Sequence, residues 1–321
     1  SAGIRALRDW LLSRPVLIGR LGMVFPALIN WLNKNLLNRR LMHMLAGIHY
    51  KKVLPKVHFH TFGRWFRKRK ANRKPDVWLF PTCYVNYNDP QIGKDAITVL
   101  EKNGLEPGCC GAENCCGAPQ LDRANFKEAA KWAWNVIENH KEAIDNKQPI
   151  LAINPTCSLT MRKEYPGLFK DELKRNRAEK FSGLVKDFSE YLWELKQAEK
   201  FNRDFKSSPG GTVYHAACHL RAQGIGFRSR DLLRLIPDNP ISFVDECSCH
   251  DGTFAFKKEY FDLSMKYGKE AFQRIAEETE KLCVSDCPLA AMQIKQGANL
   301  KQHPKHPITV LAEAYEEKKD G

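Results

Sequence analysis

Not one Cys-x-x-Cys spacing occurs among the eleven cysteines of this 321-residue chain, so the paired knuckles of most structural zinc sites are missing. Long apolar runs are missing too. The longest, Leu21–Leu32, is twelve residues broken by Pro26 and Asn30, where a spanning helix needs roughly 20. Gly224-Ile225-Gly226 has neither the third glycine nor the preceding strand of a dinucleotide fingerprint, so no flavin or nucleotide site is visible. The cysteine count is odd and no secretory signal precedes it, which argues against a secreted disulfide framework and for a reducing, cytoplasmic setting. The start, Ser1-Ala2-Gly3, has no methionine and reads as processed, tagged or truncated.

Acid is scarce at one end only. Residues 1–75 hold 17 Lys/Arg and one acid, Asp9, whereas residues 76–321 hold 34 basic and 36 acidic groups. The net charge of +14 therefore belongs to an N-terminal arm on a neutral body. That distribution leaves nucleic-acid binding resting on charge alone, and suits a docking segment for a membrane or partner. Residues 4–48 read as amphipathic helices. Trp10, Phe25, Trp31 and the flanking arginines suit a bilayer surface, giving a peripheral contact on the cytoplasmic membrane face. The same pattern also serves a helical pair packed on the protein's own core. His60–Pro75 reads as a solvated basic linker, and His43, His49, His58 and His60 as surface or partner contacts.

What is present from Asp76 onward is a strand–cysteine–helix plan that occurs twice. "DVWLFPTC" and "PILAINPTC" read as strands ending at Cys83 and Cys157; "TVYHAAC", "ISFVDECSC" and "KLCVSDC" read as strands ending at Cys218, Cys247/Cys249 and Cys287. "RNRAEKFSGLVKDFSEYLWELKQAEKF" reads as one helix, and Lys206–Gly211 as a linker. Cys83, Cys116 and Cys157 match Cys218, Cys249 and Cys287 at offsets of 135, 133 and 130, a drift small enough for an internal repeat. The expected architecture is α/β, with two pseudo-repeated cysteine-rich α/β domains (76–205 and 206–321) of mainly parallel sheets behind a basic helical arm (1–75). Ligands in such sheets sit beyond the carboxyl ends of the strands, which is where these thiols fall.

Four thiols per half suit a [4Fe–4S] cluster. In the first half 31 residues separate Cys83 from Cys115 and 40 separate Cys116 from Cys157; in the second, 28 separate Cys218 from Cys247 and 37 separate Cys249 from Cys287. Adjacent cysteines in an extended backbone point to opposite sides, so a Cys-Cys pair tends to reach two irons. Gly117 after the pair would let the backbone approach inorganic sulfide closely.

This pattern resembles the tandem cysteine-rich (CCG) domains of heterodisulfide reductases (their B/D-type subunits), of glycolate oxidase iron–sulfur subunits and of the C subunits of anaerobic glycerol-3-phosphate dehydrogenase. The likeness to the last rests on "CYVNYNDPQIGKD" from Cys83, "NCCGAP" from Asn114, "PTCSLTMRKEYP" from Pro155, "VYHAACHL" from Val213, "VSDCPLAAMQI" from Val284 and "HPITVLAEA" from His306. It implies an iron–sulfur electron-transfer subunit of an oxidoreductase complex, holding one or two [4Fe–4S] clusters, cubane or non-cubane. Its partners would be a flavin dehydrogenase or ferredoxin-type protein on one side and a quinone or membrane partner on the other. The resemblance assigns Cys83, Cys115, Cys116 and Cys157 to a first cluster and Cys218, Cys247, Cys249 and Cys287 to a second. It leaves Cys109 and Cys110 as extra or alternative ligands, or as packed thiols.

Three departures matter. Thr160 and Ala290 stand where fuller members of the family close a Cys-x-x-Cys. The second pair is split as Cys247-Ser248-Cys249 and followed by His250-Asp251-Gly252. These changes favour a four-thiolate cluster in each half, or a weakened second site, over a five-thiolate open form. The two N-terminal ferredoxin motifs of the glycerol-3-phosphate dehydrogenase relatives are absent, and are expected upstream or on another chain. His215, His219 and His250 flank the second set as ligands or hydrogen-bond donors to cluster sulfur. Cys283 reads as a buried core thiol, and Trp132 and Trp134 as core. Two other function classes stay open: a thiol or disulfide reductase working at a cluster or at Cys109-Cys110, and a zinc-bound structural protein.

Overall fold

A computed structural model of the chain describes residues 2–71, 73–110, 114–278 and 280–317. Two parallel sheets form the body. The first carries β1 (Val77–Phe80), β2 (Pro107–Cys109), β3 (Ile150–Ala152) and β4 (Val185–Asp187) in the order β2-β1-β3-β4. The second carries β5 (Thr212–His215), β6 (Ile241–Val244) and β7 (Leu282–Ser285) in the order β6-β5-β7. The three-strand pattern is thus the same twice, with β1 matching β5. Every strand pair is parallel, so each connection crosses over through a helix such as Pro90–Lys102. β1 and β3 are apolar and buried at every position, as strands covered on both faces must be.

The repeats share one apolar core. Leu79, Ile97 and Leu100 of the first pack in the same cluster as Tyr214, Leu232 and Leu311 of the second. Helix Pro307–Ala314 lies on helix Pro90–Lys102, and Thr309 donates to Asp95 at 2.6 Å.

Two strands escape a reading of the sequence. β2 has only three residues, Pro-Gly-Cys, and pairs Cys109 with Leu79. β4 interrupts what reads as one helix. The observed helices are Glu172–Leu184 and Phe188–Gln197, and the second starts on a capping box between Asp187 and Glu190.

The arm is fastened to both repeats. Arg8, 4% exposed, makes a two-toothed ion pair with Glu259 at 2.7 and 2.8 Å. Gln120 and Arg123 of the first repeat donate to Ser13 at 2.8 and 3.0 Å. Helix Pro15–Gly22 sits so close to helix Cys83–Tyr87 that a Cβ on Gly19 would lie 2.4 Å from the Tyr87 ring. The segment expected as a solvated linker contains helix Phe62–Phe66, and Phe62 is fully buried. His49, expected at the surface, stacks on Phe261 with ring centroids 3.9 Å apart; His58 and His60 are exposed. The outer face of the arm exposes Leu21, Val24, Phe25, Leu28, Trp31, Leu36 and Leu37. Among the described residues no single helix is long and apolar enough to cross a membrane, and helices Pro15–Gly22 and Pro26–Leu32 bend 112° between them.

Candidate metal centre

Cys83 and Cys157 follow the carboxyl ends of β1 and β3, and all four thiols of the first set lie at or just before the start of a helix. Cys83 opens helix Cys83–Tyr87 directly after β1. Its cap, Thr82, holds φ 72° and ψ 154°, a conformation costly for a β-branched residue, while its side chain accepts from the Val85 N–H. Cys157 lies in the first turn of helix Pro155–Leu159, capped by Asn154. Cys115 and Cys116 precede helix Ala118–Leu121, with Gly117 as its cap at φ 92°. A Cβ on Gly117 would meet Ala129 at an ordinary 3.6 Å, so among protein atoms it is conformation rather than crowding that requires glycine.

The four side chains form a chain of contacts. Cys115 is hydrogen-bonded to Cys116 and Cys83, and Cys116 also to Cys157. Hydrogen bonds from the Cys115 and Cys157 thiols and the Ala118 N–H hold the Cys116 thiol well below its ordinary pKa. The same contacts, with burial, push Cys115 and Cys157 well above theirs. Tyr165, fully buried, donates to the Cys116 carbonyl at 2.9 Å and pins the pair from behind.

The second set repeats the plan in a more open setting. Cys218 opens helix Cys218–Arg221 after β5, and Cys287 caps helix Pro288–Gly297 after β7. Cys247 and Cys249 follow β6. Cys218 donates to Cys247, and that bond together with the Cys249 N–H lowers the Cys247 pKa to about 6. Burial raises Cys287. Cys249 stands at φ 57°, Asp251 at φ 43° and Gly252 at φ 51°, so this turn puts two non-glycine residues in the left-handed region. A buried relay props the loop: Lys52 of the arm donates to Gln293, Gln293 to Ser264 at 2.8 Å, and Ser264 to the Cys249 carbonyl at 2.6 Å. Burial lowers the Lys52 pKa to about 7.

The two sets look at one another. Thr156, beside Cys157, shares a 2.8 Å hydrogen bond with His219, beside Cys218. Tyr84, beside Cys83, donates to the sulfur of Met292 on the helix that Cys287 caps. The Cys83 helix thus meets the Cys287 helix, and the Cys157 helix meets the Cys218 helix, as a pseudo-two-fold axis between repeats requires.

The neighbouring groups sort clearly. Cys109 packs into the core that the two repeats share, while Cys110 faces the thiol side without joining the contact chain. Burial pushes both thiols up, Cys110 to about 11, which disfavours a nucleophilic thiolate at the pair. Cys283 is buried in β7 among Val213, Val244 and Phe272, as expected of a packing thiol. Trp132 and Trp134 are half-buried at the edge of the core rather than inside it. His215 is fully engaged, with Ser285 on Nδ1 and the Glu246 carbonyl on Nε2, both at 3.0 Å, so it positions the loop before Cys247 instead of serving as a ligand. His219 spends Nδ1 on Thr156. His250 is buried with no well-formed hydrogen bond at either ring nitrogen, and burial holds its pKa well down. Asp286, which receives hydrogen bonds from Tyr214 and Ser229, fixes the turn before Cys287; this support is not evident from spacing.

Among the described residues no three His, Cys, Asp or Glu side chains form a group fit for a single metal ion. The thiols lie instead as a string of four in the first repeat and a shorter string through Cys218, Cys247 and Cys249 in the second. The model of the CCG cysteine-rich domain matches residues 77–162 and 212–295, which contain both strings. The chain belongs to the CCG cysteine-rich domain family. Among CCG relatives, the C subunit of anaerobic glycerol-3-phosphate dehydrogenase from Escherichia coli (strain K12) is 33% identical over 96% of this chain and 77% of its own length. Lactate utilization protein A of Bacillus pumilus is 26% identical over 73% of this chain and 95% of its own. The B subunit of fumarate reductase (CoM/CoB) from Methanothermobacter marburgensis is 25% identical over 69% and 42%.

Proposed function

We propose that this chain is the iron–sulfur electron-transfer subunit of an anaerobic-type oxidoreductase complex. It relays electrons between a flavin dehydrogenase or other redox partner and a quinone or membrane partner. The observation that carries the reading is the contact chain Cys83–Cys115–Cys116–Cys157, assembled from three sequence-distant loops.

Cys83, Cys115, Cys116 and Cys157 would hold one [4Fe–4S] cluster, and Cys218, Cys247, Cys249 and Cys287 a second. A cluster bound there supplies one-electron storage and transfer. The chain's own residues do the rest. Phe80, Tyr165 and Phe181 bury the first set and exclude water. The second set, with Cys218 and Cys247 exposed, is the side open to a soluble partner. The arm's exposed apolar face and its cationic excess suit peripheral attachment to an anionic membrane surface.

Iron and acid-labile sulfide measured on anaerobically purified protein test the reading. The expected result is about four of each per occupied set, with a paramagnetic signal on reduction. A colourless protein that holds zinc, or no metal, in both sets would overturn it.

A further inference from the structure

Two buried side chains beside the thiol sets carry donors that meet no acceptor among the described residues. Asn114 directly precedes Cys115, and its side-chain nitrogen Nδ2 is shut off from solvent without a hydrogen-bond partner. His250 directly follows Cys249, and both of its ring nitrogens are in the same situation. A buried donor is normally paired with protein or with water, because a bare one has lost its hydration for nothing. Solvent does not reach Asn114 Nδ2, so its acceptor has to be an interior one. The amide is also the simpler of the two groups, since it donates at every pH.

The surroundings of Asn114 narrow the choice of acceptor. Asn114 and Cys115 stand on one wall of a cavity of about 300 Å³ beneath arm helix Pro15–Gly22. Val16 and Trp132, on the same wall, pack against the apolar cluster that includes Cys115 and Cys116. The Trp132 indole N–H is itself a donor, spent on Glu128 at 3.0 Å. The Cys116 carbonyl already receives Tyr165 at 2.9 Å. What this corner of the fold holds in quantity is sulfur. The Cys116 sulfur accepts from the Cys115 and Cys157 thiols and from backbone N–H groups. Ligation by iron removes both thiol protons, because the thiolate is the ligand. Two donors to sulfur are then lost just as negative charge gathers there, and a neutral amide donor gains in worth.

We infer that Asn114 donates through Nδ2 to a sulfur of the iron–sulfur group held by Cys83, Cys115, Cys116 and Cys157, and that this bond favours the group's reduced form. The inference rests on the relay proposed above and gives one further residue a task in it. On reduction the group gains one electron from the reduced redox partner, which is oxidised, and Asn114 neither gains nor loses a proton. A donor to sulfur stabilises the more negative of the two oxidation states. Cys115, Cys116 and Cys157 are buried, so water does little of this at the first set. A fixed amide takes the place of hydration there.

Redox titration of the anaerobically purified full chain, followed by electron paramagnetic resonance, tests this. The signal of the first set is the one that persists in Cys247→Ser. Asn114→Leu keeps the bulk and removes the donor. It should move the reduction equilibrium of that set about tenfold towards the oxidised form, about 59 mV for one electron, with iron and sulfide content unchanged. Asn135→Leu alters the same cavity wall at a residue remote from the thiols in sequence, and should leave the potential where it is. In wild-type protein carrying nitrogen-15 in its asparagine side chains, the reduced first set should show a hyperfine coupling to that nucleus, and Asn114→Leu should lose it. A wild-type protein without the coupling, an unmoved potential in Asn114→Leu, or an equal shift in Asn135→Leu would overturn the assignment. Any of these in iron-loaded protein refutes the bond and leaves the relay standing, whereas protein that takes up no iron refutes the two together.

Discussion

The first thiol set is sealed but for half-buried Cys83 and the second is open, although both hang from the same three-strand pattern. Cys115, Cys116 and Cys157 are 5, 3 and 6% exposed, while Cys218 and Cys247 lie at the surface. The first turn is made by Gly117 and the second by Cys249 and Asp251 in the same left-handed region. The sealed set leans on Tyr165 and Phe181 of its own repeat; the open one leans on Lys52, a residue of the arm. Duplication has kept the positions of the thiols and let their shielding diverge. Solvent exposure tunes an iron–sulfur centre, so the two ends of the proposed relay are expected to differ in potential and in partner access.

The largest effect should come from removing the acceptor of the sealed set. Cys116→Ser leaves Cys115 and Cys157 buried without the group they lean on, and is expected to abolish metal binding in that set and lower the thermal midpoint. Cys247→Ser should remove the iron of the open set and leave the midpoint within a few degrees. Equal thermal losses in the two variants, read by calorimetry beside iron analysis, would erase the contrast in shielding.

The prop beneath the open set makes a pH prediction. Lys52 is 1% exposed and its pKa is lowered to about 7 by burial, whereas the unfolded chain keeps the ordinary value of about 10.4. Between those values the unfolded state binds more protons, so stability rises as pH rises from 7 towards 10. The gain is on the order of a few kcal/mol. Lys52→Met should flatten that rise, as read from denaturant midpoints across the range. A variant with an unchanged slope would remove Lys52 from the account.

Much of this contrast is legible in the amino-acid sequence. Strong apolar runs ending in cysteine locate β1, β3, β5, β6 and β7, and the matching offsets pick out the two thiol sets. Three-residue strands carry too little pattern to be seen: β2 is Pro-Gly-Cys, and β4 hides Lys186 between two helices whose residues dominate the periodicity. The shielding is invisible there because it comes from distant residues. Tyr165 closes on Cys116 across 49 positions and Lys52 reaches Gln293 across 241. The arm's double role is half legible, since its amphipathic pattern shows a buried face without saying that Gly19 lies against Tyr87.

Thiol reactivity sharpens the comparison at a smaller scale. In metal-free protein, Cys247 with a pKa of about 6 is largely thiolate at neutral pH. Its alkylation rate should climb to about pH 7 and then level off, while an ordinary thiol keeps gaining to about pH 8.5. Cys247 should be modified at least tenfold faster than Cys115, Cys116 and Cys157, as peptide mass spectrometry would show. Comparable rates in both sets would mean that the sealed set opens readily in solution.

The smallest effect asks why glycine follows the first pair. Gly117→Ala places a non-glycine residue at φ 92°, beyond the 57° and 43° that Cys249 and Asp251 hold in the second repeat. The added Cβ has room against Ala129 and Trp132, so the cost is conformational, about 1 kcal/mol. For a chain of this size that lowers the midpoint by about 1–2 °C. If glycine serves the turn alone, iron content in the variant stays at the wild-type level. If the backbone there must approach inorganic sulfide, the same methyl group costs the sealed set its metal while the open set keeps its own. Iron and sulfide analysis of this one variant therefore separates a requirement of the chain from a requirement of the group it holds.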